Sequence, residues 1–345
     1  MASNENKRKN NLPLSTNNIL VQCHGVLEDV VSRLATAAID EDSEEGSLID
    51  STVLETLQSV ASNLGSKLND RIGPCLFRPR YEPRQQSYGF RSLTADGLEK
   101  LEVDRGDNLV YLPDRALILR SSSAQIAEEE FWTSDALYSH LKMLKQFVTL
   151  NEAGARLWTN AFFFRVRAML AATDKVMVLS LEQHVNANVN PTTDLTGYVD
   201  YTALRGPKAV AESFLQTPIL SLKKNKDSLT PFVIEVKGFD LPLRNYLPQT
   251  AGEMYACGKT IGKSVVRGAL TNGQQWIFII LRINPDGGAI YYTTPDIALF
   301  GRARDGVRQE LLRDACDTVA AIMAQWIEYS DQNLGESDCF AYSAI

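Results

Sequence analysis

Hydrophobic and polar positions follow helical spacing in the first part of the chain. Apolar residues recur at the period of a helix over residues 16–39, and a second helix is predicted over 49–68. The charge run DEDSEEGS, residues 40–47, ends the first of these helices. Residues 71–130 are rich in Pro, Arg and Gly, with only short strand-like pieces. We therefore interpret residues 1–130 as an accessory region that is mostly helical.

From residue 131 the pattern predicts an α/β domain that extends to residue 330, followed by a tail over 331–345. The order of its elements is helix, three strands, helix, strands. In chain order we predict helices over 133–147 and 151–170, strands over 175–183, 196–204 and 231–238, a helix over 248–263, a hairpin that turns at Asn272-Gly273, a strand over 289–294 and a helix over 305–328.

The predicted strand PFVIEVKG, residues 231–238, carries a carboxylate and an ammonium inside an apolar run. Because side chains alternate between faces along a strand, Glu235 and Lys237 share one face. Asp200 lies in an earlier strand, GYVDY, and the intervening segment is long enough for the two strands to be neighbours. We therefore expect Asp200 and Glu235 to meet at one end of the sheet. Two carboxylates and a backbone carbonyl, that of Val236, make an oxygen site suited to Mg²⁺ or Mn²⁺.

Lys237 is expected to point into the same cleft as the two carboxylates. There a cation can orient a water molecule or stabilise charge on the transition state of phosphodiester hydrolysis. The series Asp200, then Glu235-Val236-Lys237, then Gln249 at the start of a helix resembles the motif of the PD-(D/E)XK nuclease superfamily. The resemblance covers about residues 150–300. It is greatest to nuclease-like domains abundant in fungal genomes, some of them in Crinkler-type effectors and selfish elements.

The resemblance implies a restriction-endonuclease-like core and an Mg- or Mn-dependent endonuclease. It also implies that Glu152, on the first core helix, completes the metal site, and that Gln249 helps to hold the substrate or Lys237. One departure from the motif is visible, because Val199 stands where the family has a proline before Asp200.

The distribution of charge suggests a nucleic-acid partner. The chain has a net charge of −7, but residues 199–270 contain ten basic and six acidic side chains, a local charge of +4. Such a segment is compatible with an ordinary solvated surface or with a face that attracts phosphates. On the second interpretation, the phosphate contacts are made by Lys223, Lys224, Lys226, Lys259, Lys263 and Arg267. DNA and RNA remain equally possible substrates.

Composition restricts where the chain is expected to act. Its five cysteines form no C-x-x-C pair, which favours a reducing intracellular compartment, the cytoplasm or the nucleus. No stretch of 18 apolar residues predicts a transmembrane helix, and the polar start is not a secretory signal. The stretch GKTIGKS, residues 258–264, lacks the first glycine of a P-loop, because residue 257 is Cys257.

Two alternatives to an active nuclease stay open. The same fold can lose catalysis and persist as a binding module, since fold does not settle function. The chain can also be an effector that acts through protein or nucleic-acid partners. The presence of Asp200, Glu235 and Lys237 together favours the enzyme.

Overall fold

In the computed structural model, the sequence forms a mixed α/β fold in which helices cover both faces of one sheet. The structure describes residues 86–124, 126, 131–170, 174–190, 192–302 and 309–343. The helices predicted over 16–39 and 49–68 lie outside the described residues. No described helix has both the length and the apolar character needed to cross a membrane.

The strands and helices are numbered in chain order. The strands are β1 (Gln86–Gly89), β2 (Val103–Asn108), β3 (Val110–Tyr111), β4 (Lys175–Asn190), β5 (Thr193–Pro207), β6 (Thr230–Val236), β7 (Val265–Thr271), β8 (Gln275–Ile283), β9 (Ala289–Thr293), β10 (Ile297–Ala298), β11 (Phe300–Arg302), β12 (Gln309–Leu311) and β13 (Phe340–Ala341). The helices are α1 (Ala95–Glu99), α2 (Pro113–Ala124), α3 (Ser134–Phe147), α4 (Glu152–Met169), α5 (Lys208–Gln216), α6 (Lys223–Ser228), α7 (Leu247–Ile261) and α8 (Arg313–Glu328).

The main sheet has the order β1-β5-β6-β7-β8-β9-β2, with β4 paired to β5 and β10 paired to β8. Strands β4, β5 and β6 are successively antiparallel, which confirms the predicted pairing of the strands that carry Asp200 and Glu235. Strand β7 then runs parallel to β6, so the chain must cross between them, and α7 provides the crossover.

Two apolar layers hold the helices on opposite faces of the sheet. On one face, Phe162 of α4 packs with Trp276 and Trp326 in a fully buried cluster. On the other, Met254 and Tyr255 of α7 pack with residues that include Val233 of β6. Strand β6 is therefore buried on both sides, because successive side chains enter different layers. Any charged group on β6 is consequently removed from bulk water.

Segments before and after the predicted domain join the same body. Strand β1 pairs in parallel with β5, and β2 pairs in parallel with β9 at the far edge of the sheet. Strand β13, in the predicted tail, pairs with β3. The compact unit runs from Pro83 to Ile345, so the boundaries predicted at residues 130 and 330 lie within it. These edge strands are short, which explains why hydrophobic alternation alone did not reveal them.

Candidate active site

The candidate site lies where two strands of the sheet separate. Strand β5 pairs with β4 along its length but with β6 only from Tyr201 onwards, and β1 takes over that edge of β5 near its start. Asp200 is the residue immediately before the part of β5 that pairs with β6. Its Oδ2 accepts a hydrogen bond of 2.9 Å from the backbone N–H of Val236, at the end of β6. The carboxylate thus replaces a backbone acceptor at the point where the ladder ends.

Three of the predicted site residues meet at the end of β6. The Nζ of Lys237 lies 2.5 Å from Oε1 of Glu235, and the Nε2 of Gln249 donates to the same oxygen at 2.6 Å. Gln249 occupies the first turn of α7, which covers this end of the strand. Lys237 also lies 4.8 Å from the ring centre of Tyr246, a cation–π contact. The predicted grouping of Glu235, Lys237 and Gln249 is present in the structure.

Glu253 is a member of this cluster that the sequence analysis did not identify. It lies one helical turn after Gln249 on α7 and is completely buried. The Nε2 of Gln249 donates to its Oε1 at 2.8 Å, so one amide bridges Glu235 and Glu253. The other oxygen of Glu253, Oε2, is buried without a hydrogen-bond partner. The i, i+4 spacing of Gln249 and Glu253 on one helix was the available signal.

Arg156 of α4 is a second member that was missed. Its Nη2 donates to Oδ1 of Asp200 at 2.5 Å, and its Nη1 donates to Oε1 of Glu182 at 2.9 Å. The carboxylate of Glu152 lies 3.4 Å from Nη2. The guanidinium of Arg156 thus lies between Glu152 and Asp200. The resemblance implies instead that Glu152 is a metal ligand.

Burial and crowding make ionisation of the inner carboxyls unfavourable. Burial, and secondarily the charge of Asp200, raises the pKa of Glu235 to about 7, although Lys237 opposes this shift. Burial, and then the charge of Glu235, raises the pKa of Glu253 well above its usual range. Burial alone would lower the pKa of Lys237, but its pairing with Glu235 raises it. Lys237 therefore stays charged. The neutral form is favoured for both Glu235 and Glu253, and ionisation of either one makes ionisation of the other more costly.

We expect the Glu253→Gln variant to be more stable than the wild type at pH 8 by about 1–2 kcal/mol. A carboxyl whose pKa is raised on folding contributes stability at low pH and loses it as pH rises through the folded value. For this pair the loss extends from about the unfolded value towards pH 7 and beyond. The amide oxygen of the variant retains the bond from Gln249. The difference should shrink below pH 5, as measured by urea unfolding.

The matched control for this measurement is Glu212→Gln, because Glu212 is an exposed carboxylate paired with Lys208. We expect its unfolding free energy to follow the wild type at every pH. A Glu253→Gln variant whose stability parallels the wild type from pH 5 to pH 8 would show that folding does not raise the pKa of Glu253.

The donor atoms of the cluster are of the type that a divalent cation prefers. Asp200 and Glu235 supply carboxylate oxygens, and the Oε2 of Glu253 is buried without a hydrogen-bond partner. However, no group of three or more His, Cys, Asp and Glu side chains is arranged to hold a metal among the described residues. Arg156 and Lys237 each lie on one of the carboxylate oxygens. The donor oxygens therefore suit a divalent cation. Two positively charged side chains, Arg156 and Lys237, already contact the carboxylates that would bind it.

Two of the predicted phosphate-binding residues lie at the opposite end of α7 from this cluster. Lys259 and Lys263 lie at the C-terminal end of α7, about 15 Å or more along the helix from Gln249. Lys263 pairs with Asp331 at 3.5 Å. Lys226 lies on α6, and the side chains of Lys223 and Lys224 lie outside the described part of the chain.

The prediction for Arg267 is wrong. Arg267 is 1% exposed, and its guanidinium bonds Asp338 at 2.7 and 3.1 Å. It also donates to the backbone oxygens of Gln332 and Asn333. Because all of these groups belong to the protein, Arg267 stabilises the fold and cannot contact phosphate.

Comparison with known proteins assigns the chain to no family. No protein-family model matches it. No curated protein matches it significantly either. A function for this chain must therefore be inferred from the geometry and charge of the site.

Proposed function

We propose that this chain is a divalent-metal-dependent endonuclease that hydrolyses phosphodiester bonds of DNA or RNA. The observation that carries the proposal is that Asp200 bonds the backbone of Val236 at the end of β6, between Glu235 and Lys237, whose side chains pair with each other. A carboxylate pair beside a lysine, supported by Gln249, is the set of groups that such hydrolysis requires.

The order and pairing of the elements support a restriction-endonuclease-like core. Helix α4 is followed by three antiparallel strands, β4, β5 and β6, then by α7 and the parallel strand β7. This is the helix, three strands, helix, strands order that the resemblance implies. The proposed ligands and Lys237 lie on the middle strands of this core, so the fold and the site support one interpretation.

Each side chain has a role that follows from its contacts. Asp200 and Glu235, with the carbonyl of Val236, would hold Mg²⁺ or Mn²⁺, which when bound lowers the pKa of a water molecule and offsets phosphate charge. Lys237 places its ammonium beside Glu235, where it can orient the attacking water and stabilise negative charge on the departing oxygen. Gln249 fixes the orientation of Glu235 by its hydrogen bond. Glu253 in turn fixes Gln249.

The proposal is tested by incubating the full chain with single- and double-stranded DNA and RNA in Mg²⁺, Mn²⁺ or EDTA. We expect cleavage of at least one nucleic acid with a divalent cation and none in EDTA. Cleavage that persists in EDTA contradicts metal dependence, and intact substrates in every condition contradict the nuclease.

The second candidate function is a binding module that has the fold but does not cut, acting as an effector through nucleic-acid or protein partners. The bond from Arg156 to Asp200 favours it, because a guanidinium already neutralises the first proposed metal ligand. This candidate predicts retention of a nucleic acid or a protein without any cleavage, in the presence and absence of Mn²⁺.

A further inference from the structure

The guanidinium of Arg156 lies among three carboxylates of different exposure. It bonds Asp200, whose side chain is 12% exposed, and Glu182, whose side chain is 66% exposed. Glu152, the third carboxylate, is 47% exposed and lies one helical turn before Arg156 on α4. The inner partner thus belongs to the proposed metal site, whereas the two outer partners face solvent.

The two oxygens of Asp200 have different partners. Its Oδ2 accepts the backbone N–H of Val236, which belongs to the fold and does not move without disturbing β6. Its Oδ1 accepts from Arg156. A guanidinium and a divalent cation a few ångströms apart repel each other strongly, so both cannot lie against Oδ1 at full strength.

Glu182 adopts a costly backbone conformation at the position where it meets Arg156. It stands opposite Asp200 between the ladder pairs Leu181–Tyr201 and Gln183–Val199, yet its φ is +49°. A residue other than glycine pays about 1–3 kcal/mol in this region. On β4, apolar side chains facing the α7 layer are even-numbered before Glu182, as at Val178, and odd-numbered after it, as at Val185. The kink keeps the Glu182 carboxylate on the Arg156 side.

We propose that Arg156 competes with the divalent cation for Asp200, and that Glu152 and Glu182 hold its guanidinium when the cation binds. This inference rests on the proposed function. Two carboxylates remain for Arg156 once Asp200 is taken, so the exchange leaves no unpaired charge. Their side chains are 47% and 66% exposed, so they move at small cost. Arg156 is then a positioning residue that sets the cation concentration at which the site fills, and Glu152 acts on Arg156 instead of binding metal.

The proposal predicts opposite effects from removing the two members of one ion pair. Arg156→Gln removes the competitor and should bind Mn²⁺ about tenfold more tightly than the wild type. Glu182→Gln removes a holder of the displaced guanidinium and should bind Mn²⁺ several-fold more weakly. Isothermal titration calorimetry on the full chain measures both affinities. A salt bridge with a purely structural role would move both affinities in the same direction or leave both unchanged, and either result overturns the proposal.

Two further variants make the measurement decisive. Arg120→Gln is the matched control, because Arg120 has similar exposure and pairs with Asp314 at 2.8 Å on another part of the surface; its Mn²⁺ affinity should equal that of the wild type. If Arg156→Gln does not fold, Arg156→Lys is used in its place. Lysine retains the charge but cannot bond two carboxylates through a planar guanidinium, so this variant should bind Mn²⁺ more tightly than the wild type. An unchanged or weaker affinity in this variant contradicts the competition.

Failure of this inference can be distinguished from failure of the proposed function. If the wild type binds Mn²⁺ and the affinities of Arg156→Gln and Glu182→Gln do not diverge, only the competition is overturned. If the affinities diverge but no variant cleaves nucleic acid, the competition stands and the nuclease does not. If neither the wild type nor Arg156→Gln binds Mn²⁺, both are overturned.

Discussion

Lys237→Ala is expected to lower the rate of nucleic-acid cleavage by a factor on the order of 10² or more while the protein remains folded. The ammonium is the closest cation to Glu235, and its removal takes away the group placed to stabilise charge in the transition state. No proposed metal ligand is lost. The buried carboxyl of Glu235 can accept a proton when its partner is absent, because burial already raises its pKa to about 7. Circular dichroism and single-turnover cleavage assays measure the two parts of this prediction.

The control is Lys142→Ala. Lys142 is an exposed residue of α3 that lies over the ring of Tyr138, and it is neither a proposed site residue nor a predicted phosphate contact. We expect its cleavage rate to stay within about twofold of the wild type, since exposed cations outside a site contribute little to the reaction. Equal rates for Lys237→Ala and Lys142→Ala would remove Lys237 from the mechanism.

Arg267→Met is expected to destabilise the fold by about 3–5 kcal/mol, the largest stability effect that we predict. The substitution leaves the buried carboxylate of Asp338, at 4% side-chain exposure, without its partner. It also removes the bonds that attach the backbone at Gln332 and Asn333 to β7 and the cation–π contact with Trp326. Urea unfolding measures the loss directly.

Arg244→Met provides the comparison for Arg267, because Arg244 pairs with Asp296 at the surface, where both side chains are more than 40% exposed. Such a pair contributes less than about 1 kcal/mol. If both variants lose the same small free energy, the buried cluster of Arg267 and Asp338 is not a stabilising feature. If Arg267→Met fails to express, Asp338→Asn tests the same contact with a smaller change of charge.

The sequence predicted the centre of the site because short-range rules determine it. Strand alternation puts Glu235 and Lys237 on one face, where their side chains pair. The pairing of β5 with β6 then places Asp200 against the backbone of Val236, the residue between them. Arg156 and Glu182 were not predicted, because their meeting depends on how α4 packs against β4 and on the kink at Glu182. Neither determinant leaves a periodic signal in the sequence.

Two other errors have separate causes. Strand β4 was predicted to end at residue 183, but it continues to Asn190 with Val185, Ala187 and Val189 buried between exposed polar residues. The sequence predicts a surface cation at Arg267, because its partner, Asp338, follows 71 residues later in the chain. Long-range pairing of a buried charge cannot be inferred from local charge density.

The most direct test of the central claim compares cleavage by the wild type and by Asp200→Asn during a Mn²⁺ titration of the full chain. We expect wild-type cleavage to rise with Mn²⁺ and to stop in EDTA. We expect Asp200→Asn to need a much higher Mn²⁺ concentration, because the variant lacks one of the carboxylates proposed to hold the cation. If the wild type, Asp200→Asn and Lys237→Ala degrade every tested nucleic acid equally slowly, with or without Mn²⁺, the cluster at the end of β6 is not a nuclease site.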